Sequence, residues 1–326
     1  PNLDDFHLIS PRIIGPVSRE GQYRRASRTG QTYSFLPPCL CYTLAIHGCR
    51  RQEGRIYVKL TCTLGFLGFG NMGRAIANGL IENGAIAADH VAAYDVDTDK
   101  QQQARELGAK VYDSPEALAA ACDVLVLAVK PQTMSDALEQ IKPGLTPRTL
   151  IVSIAAGISI AYITNRLGEA ARVVRVMPNT PAMVNAGAAG IALGANCTPD
   201  DEKIARAIFE GIGVVECVDE SLIDAVTALS GSGPAYFFYI VECLVKSAQQ
   251  HGLTEKQATT LAAQTLLGSG FLLRQSGESA ATLRERVTSK GGTTEAALRT
   301  FREKGLEEAI AAGVQAAVSR AKELGQ

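Results

Sequence analysis

The sequence predicts an α/β protein in which a doubly wound parallel sheet is followed by an all-helical C-terminal domain. Three observations support this fold class. Short apolar runs alternate with amphipathic stretches from Thr63 onward, a glycine-rich loop follows the first run, and only long Ala/Leu-rich helical patterns remain after about Ser221. We therefore divide the chain into residues 1–62, 63–221 and 222–326.

Composition limits the classes of function. At 326 residues and 46% hydrophobic content the chain has material for two domains, and its net charge of -1 argues against a nucleic-acid partner. No uninterrupted apolar run reaches the roughly 18 residues of a membrane span, so no membrane partner is expected.

The eight cysteines are scattered without paired spacing, and only four histidines occur. This pattern predicts buried thiols in a reducing compartment, a cytoplasmic location and no metal site. Because two of the histidines lie in residues 1–62 and the others sit near turns, the chemistry should not depend on histidine.

The first segment, residues 1–62, is rich in Pro, Ser, Gly and Arg and shows no sustained periodicity. We interpret it as an atypical N-terminal extension that is disordered or not native to the protein. A targeting presequence is the alternative, which Asp4, Asp5 and Glu20 count against.

The apolar runs after Thr63 are short and β-rich, as strands buried on both faces of a sheet should be. The predicted strands are residues 64–67, 90–94, 124–129, 149–154 and 173–177, with weaker candidates at 190–193 and 214–218. Helical spacing covers residues 71–82, 99–107, 115–121 and 132–141.

The C-terminal region contains five helical patterns, at residues 233–251, 254–274, 282–287, 294–304 and 306–324. Residues 236–240 are all apolar or aromatic and therefore occupy more than one face of their helix. Such a helix is buried in a large bundle or against another subunit, and about a hundred residues favour a homodimer interface.

The glycine-rich loop has the spacing G-x-G-x-x-G between a buried strand and a helix. Gly68 permits the tight turn, Gly70 lets a pyrophosphate approach the backbone, and Gly73 lets helix and strand pack closely. Residues Phe69, Asn71 and Met72 complete a cofactor-binding loop of the Rossmann type, for NADPH or NADH.

Asp95, at the end of the next strand, can accept hydrogen bonds from the adenosine ribose and would repel a 2′-phosphate, which favours NADH. Lys100 is near enough to help a phosphate, and a simple turn-forming role for Asp95 is the alternative.

Two further loops follow predicted strands at the edge where ligands of such sheets gather. The first contains Ala128, Val129, Lys130 and Pro131, where the lysine either faces a phosphate or solvates the loop. In the second, Asn179 either caps a turn or hydrogen-bonds near the nicotinamide.

The segment from Val287 to Glu295 places two glycines among hydroxyl residues just before a predicted helix. Because the first amides of a helix lack intrahelical partners, such a turn can hold a small carboxylate. An ordinary helix cap is the alternative for this segment taken alone.

Taken together, five motifs closely resemble pyrroline-5-carboxylate reductase, the last enzyme of proline biosynthesis, over about residues 63–323. The motifs are FLGFGNMG (66–73), AVKPQ (128–132), MPNTP (177–181), DAVTALSGSGPAY (224–236) and VTSKGGTTEA (287–296). Lys290 stands where the family often has proline.

The resemblance implies hydride transfer from NAD(P)H to the C=N carbon of 1-pyrroline-5-carboxylate. It further implies that Ser289, Gly292, Thr293 and Thr294 bind the substrate, with Ser289 and Thr294 as the catalytic pair and the Thr294 hydroxyl at the ring nitrogen. In this family the helical domains of two chains interlock in a homodimer, and decamers also form.

Two other functions remain open at this point. A β-hydroxyacid dehydrogenase shares the glycine loop and a following helical domain, but such enzymes use a lysine on the first long helix, and Lys246 lies about two turns too far along. A non-catalytic NAD(P)-binding regulator is the second.

Overall fold

The computed structural model describes residues 46–52 and 55–325. The interpretation of residues 1–62 as disordered or not native stays a prediction, and residues 1–45, 53 and 54 of that segment lie outside the described range. The first described residues form two antiparallel strands, β1 (Ile46–Gln52) and β2 (Arg55–Leu60). This pair of strands was not predicted. It joins the following domain through Leu60, which is buried and donates its amide to the Ala85 carbonyl at 2.7 Å.

An eight-stranded sheet, in the order β10-β9-β8-β7-β6-β3-β4-β5, forms the centre of the next domain. Its strands are β3 (Leu64–Leu67), β4 (Val91–Tyr94), β5 (Lys110–Val111), β6 (Val124–Leu127), β7 (Leu150–Ser153), β8 (Arg172–Met177), β9 (Gly187–Leu193) and β10 (Gly213–Cys217). The strand order reverses beside β3, which is the topological switch point of a doubly wound sheet. The predicted fold class is confirmed.

Strands β3 to β8 run parallel, but β9 pairs with β8 in the antiparallel direction. The cause is the connection between them, residues 178–186, which is too short for the crossover that parallel neighbours need. A helix at Pro199–Glu210 supplies such a crossover between β9 and β10, and these two strands are parallel to each other. The parallel sheet predicted from sequence is therefore mixed at one edge.

Six helices cover the sheet: α1 (Asn71–Glu82), α2 (Thr98–Glu106), α3 (Pro115–Ala121), α4 (Met134–Ile141), α5 (Ile160–Leu167) and α6 (Pro199–Glu210). The first four match the predicted helices, whereas α5 and α6 were not predicted. A start signal for α6 was present in the sequence, since the Thr198 and Asp201 side chains form a capping box with Pro199 at the first position.

Apolar side chains form one buried cluster on each face of this sheet. Two of the buried residues, Cys62 and Cys122, are free thiols. Burial, reinforced by the charge of Asp123, raises the pKa of Cys62 to about 11 and that of Cys122 to about 12, from an ordinary value of 9.0. The prediction of buried thiols thus holds for these two residues and is wrong for Cys217 and Cys243, which are exposed.

These pKa values predict a loss of stability in alkaline solution. Above about pH 9 the thiols ionise in the unfolded chain but stay protonated in the folded one, so rising pH favours unfolding. We expect the free energy of unfolding to fall by roughly 1 kcal/mol per thiol between about pH 9 and pH 10. Urea unfolding at both pH values measures this, and the double variant Cys62→Ala, Cys122→Ala should lose that part of the pH dependence. An unchanged dependence in the double variant would contradict the assignment.

The C-terminal region is entirely helical, as predicted. Its elements are α7 (Ile223–Val226), a π-helical turn (Thr227–Gly231), α8 (Gly233–Gln250), α9 (Glu255–Ser276), α10 (Ala280–Arg286), α11 (Thr293–Glu303) and α12 (Leu306–Leu324). Within residues 233–325 the only buried residues are Gly233, Ala258 and Ala321. Large apolar side chains such as Phe238 (66% exposed) and Tyr239 (67%) lie on the surface of the single chain. These helices therefore have almost no core of their own.

Candidate active site

The glycine loop connects β3 to α1 at the switch point of the sheet. Gly68 has φ +92°, a conformation that favours glycine, and a Cβ there would lie 2.7 Å from the Ala128 carbonyl oxygen. A Cβ at Gly73 would lie 2.8 Å from the Gly68 carbonyl oxygen. A Cβ at Gly70, in contrast, would meet nothing within 4 Å. The first and third glycines permit close packing of the protein, and the second faces open space, which fits a dinucleotide pyrophosphate approaching the backbone.

Asp95 fixes this loop from the end of β4. One carboxylate oxygen accepts from the Phe69 amide at 2.6 Å and the other from the Asp97 amide at 2.9 Å. The second bond is the turn-forming role given above as the alternative. The Phe69 side chain is fully buried, edge-to-face with Phe66, so only its backbone is available to a ligand.

The loop after β6 packs directly against the glycine loop. The Ala128 amide donates to the Leu67 carbonyl at 2.9 Å, and a Cβ at Gly68 would lie 3.2 Å from a Val129 methyl group. Lys130 is exposed, and Pro131 begins a short 3-10 turn. The structure thus brings together the predicted cofactor residues of three loops, at the carboxyl ends of β3, β4 and β6. Asn71 and Met72 begin α1 beside them.

Asn179 lies farther along the same edge, beyond β8, and is buried at 8% exposure. Its side-chain oxygen accepts from the Ala188 amide at 2.8 Å, and its side-chain nitrogen donates to the Ser230 carbonyl at 3.0 Å. Both ends of the side chain therefore bond to the protein. These two hydrogen bonds could not be predicted from the sequence, because the bonding partners lie 9 and 51 residues away from Asn179.

The turn between α10 and α11 contains the predicted substrate residues. Gly291 has φ +73°, and its amide donates to a Glu295 carboxylate oxygen at 2.6 Å. The Gly292 amide donates to the Ser289 carbonyl at 3.0 Å, which closes the turn. Lys290 is exposed, so the family's proline is replaced by a residue in contact with solvent. These bonds give the turn a defined shape without proline.

Helix α11 begins immediately after this turn. Its first helical hydrogen bond runs from the Ala296 amide to the Gly292 carbonyl, which leaves the amides of Thr293 and Thr294 without partners inside the helix. Ser289 and Thr293 are exposed, and Thr294 is half-buried. Hydroxyl groups and unpaired amides at a helix N-terminus form a suitable site for a small carboxylate.

Among the residues that the structure describes, no three His, Cys, Asp or Glu side chains lie close enough to hold a metal ion.

A glycine loop at the switch point of a doubly wound sheet, with a helical domain after it, defines the class of oxidoreductases that use a nicotinamide dinucleotide. Two family models match the chain: "NADP oxidoreductase coenzyme F420-dependent" at residues 63–157 and "Pyrroline-5-carboxylate reductase dimerisation" at residues 220–324. The pyrroline-5-carboxylate reductase of Methanosarcina acetivorans is 42% identical over 265 residues, 81% of this chain and 98% of that protein. The chain belongs to the pyrroline-5-carboxylate reductase family.

Solved structures agree with this assignment. A pyrroline-5-carboxylate reductase from Coxiella burnetii is 38% identical with a TM-score of 0.78, over 82% of this chain and 99% of that one. The Plasmodium falciparum pyrroline carboxylate reductase, solved with NADP bound, is 30% identical with a TM-score of 0.74, over 81% of this chain and 98% of that one. The resemblance drawn from the five motifs is confirmed, and a β-hydroxyacid dehydrogenase is disfavoured.

The exposed apolar helices are also explained by this membership. By length and composition alone, the helical segment Glu220–Gln250 could cross a membrane, and only 11% of its most apolar window is buried. The expectation that no segment is apolar enough to span a membrane is therefore wrong by this criterion. Polar residues interrupt the apolar run, but the mean hydropathy of the segment stays high enough for a span. The dimerisation family model covers this same segment, at residues 220–324. The expected lack of a membrane partner remains a prediction.

Proposed function

We propose that this protein reduces 1-pyrroline-5-carboxylate to L-proline with NAD(P)H, the final step of proline biosynthesis. The observation that carries this proposal is the shaped turn before α11, with its hydroxyls and unpaired amides, in a member of this reductase family. Purified protein should oxidise NAD(P)H only when pyrroline-5-carboxylate is added. Cofactor binding without turnover would instead identify a non-catalytic regulator.

The residues of the turn have binding and orienting roles in this proposal. Ser289 and the amides at Gly292, Thr293 and Thr294 hold the substrate carboxylate, and the Thr294 hydroxyl contacts the ring nitrogen. A dinucleotide held by the glycine loop would supply the hydride for the C=N carbon, and the protonated ring nitrogen would then become the amine of proline. Because the imine is basic enough to arrive protonated, the protein needs no strong catalytic acid, and positioning accounts for its role.

The cofactor in this proposal lies along the glycine loop, residues 68–73, against Asp95 and residues 128–131. We propose that NADH is preferred to NADPH. The Asp95 carboxylate is held in place by two amides, and Asp97 and Asp99 add negative charge on the same turn. Fixed carboxylates repel a 2′-phosphate.

Steady-state kinetics with each nucleotide should therefore give a higher kcat/KM for NADH. The variant Asp95→Asn removes the charge while keeping an oxygen that can accept from Phe69, so it should shift the ratio toward NADPH. A wild-type protein that favours NADPH would refute the preference.

The assembly that we propose is a homodimer built from the exposed helices, with decamers as in other family members. The cofactor loop lies on the sheet domain and the substrate turn on the helical region, so one active site can use both subunits. We also place the enzyme in the cytoplasm, where its free thiols remain reduced.

Disrupting the exposed surface of α8 should break the assembly. The change Phe238→Asp puts a charge at the centre of an apolar surface, where burial against a partner costs several kcal/mol. We expect sedimentation velocity to show a smaller species and activity to fall with it. Val214→Asp, a matched change at a half-exposed apolar residue of β10, should leave the mass unchanged. A wild-type mass for Phe238→Asp would exclude this face as the interface.

A further inference from the structure

The junction between the sheet and the helical region depends on a buried asparagine. Asn179 follows β8, accepts from the Ala188 amide at the start of β9, and donates to the Ser230 carbonyl in the π-helical turn. No other side chain of the described residues donates a hydrogen bond to that carbonyl. Asn179 thus connects two strands of the cofactor domain to the start of the dimerisation helices.

The Ser230 carbonyl needs this donor because of the sequence that follows it. In an α-helix it would accept from the amide four residues later, and that residue is Pro234, which has no N–H. The backbone here forms a π-turn, in which the Ser232 amide donates to the Thr227 carbonyl at 2.8 Å. π-Turns are frequent at functional sites. The Asn179 amide thus replaces a bond that the proline removes.

Other contacts attach the same segment to β8. Arg175, buried at 8% exposure, pairs with Glu220 at 3.2 Å and with Asp224 at 3.7 Å. At the other end, a Cβ at Gly231 would lie 2.6 Å from the Met177 methyl carbon. Residues 220–231 are therefore fixed to the sheet, whereas α8 and the later helices extend from it with exposed surfaces.

We infer that Asn179 is a positioning residue, rather than a cofactor ligand as the sequence suggested. It sets where the helical region leaves the carboxyl edge of the sheet, and so the distance between the hydride donor and the imine. This inference rests on the proposed function, in which cofactor and substrate are held by different domains. An error of about 1 Å in such placement can cost on the order of 100-fold in rate.

The variant Asn179→Asp tests the inference because it replaces only the side-chain nitrogen, by an oxygen. Aspartate can still accept from Ala188, but it has no N–H for Ser230. We expect kcat to fall by about 10- to 100-fold, with the NADH Kd and the KM for pyrroline-5-carboxylate within about twofold. The primary deuterium isotope effect on kcat with 4-deuterated NADH should rise, because hydride transfer becomes slower relative to product release.

Asn83→Asp is the matched control. Asn83 is also buried and donates to a backbone carbonyl, that of Gly211, at 2.6 Å. It ends α1, at the opposite edge of the sheet from the site. This variant should lower the Tm but leave kcat and the isotope effect unchanged.

Three results would overturn the inference. A weaker NADH Kd with wild-type kcat at saturation would make Asn179 a cofactor ligand. A loss of Tm alone, as in the control, would make it purely structural. If Asn179→Asp does not fold, the variant Pro234→Ala tests the same hydrogen bond, because an alanine amide gives the Ser230 carbonyl an α-helical donor. This variant should fold but have a lower kcat. An unchanged kcat would contradict the inference. Inactive wild-type protein would refute the proposed function instead.

Discussion

Replacing Thr294 by alanine is expected to lower kcat/KM for pyrroline-5-carboxylate by roughly 10- to 100-fold, because a hydrogen bond to a charged group contributes about 1.5–3 kcal/mol. Thr294 is half-buried at the second position of α11, where its hydroxyl and its free amide lie together. The NADH Kd should not change, since the cofactor loop is on another domain. Steady-state kinetics and a fluorescence titration with NADH measure the two quantities.

Two controls make this result specific. Thr294→Ser keeps the hydroxyl and should retain most of the activity. Thr300→Ala changes an exposed threonine on the same helix, whose hydroxyl already donates to the Ala296 carbonyl at 3.1 Å, and should behave like wild type. An unaltered rate for Thr294→Ala would remove this residue from the active site.

Gly70→Ala should weaken cofactor binding without destabilising the protein. A Cβ at Gly70 meets no protein atom within 4 Å, and its φ of -68° suits alanine, so the fold accepts the substitution. The methyl group would occupy the space into which the pyrophosphate must come. We expect the NADH Kd to rise at least about tenfold, with a wild-type Tm measured in the absence of cofactor.

The neighbouring glycines provide the contrast. Gly68→Ala strains a left-handed backbone and meets the Ala128 carbonyl, and Gly73→Ala meets the Gly68 carbonyl. Both should lower the Tm even without cofactor. Equal loss of stability in all three variants would show that Gly70 is a structural glycine.

Periodic and local features of the fold could be predicted from the sequence. The buried strand at residues 64–67 and the helices at 71–82 and 306–324 lie where predicted, because apolar spacing and glycine placement determine them locally. The two-residue strand β5 is too short for any periodicity, and the antiparallel direction of β9 follows from the length of a connection. Both depend on packing that a local pattern does not contain.

The candidate site likewise has parts that could be predicted from the sequence and parts that could not. The glycine loop and the turn before α11 are contiguous motifs, so the glycines could be named from their spacing and the substrate residues of the turn from the family resemblance. The partners of Asp95 and Asn179 belong to other elements, and only the folded chain shows that Asp95 holds the Phe69 amide. Pro234 indicates in the sequence that the Ser230 carbonyl has no α-helical donor. That the Asn179 side chain donates in its place could not be predicted.

In the proposed homodimer, the helices after Gly233 are covered only when two chains associate, so their stability depends on protein concentration. Diluting the enzyme should open these helices before the sheet domain unfolds, because that domain has two buried clusters of its own. Activity per chain then rises with protein concentration, while cofactor affinity stays constant. In the proposed homodimer, total activity therefore rises more steeply than in direct proportion to the amount of enzyme.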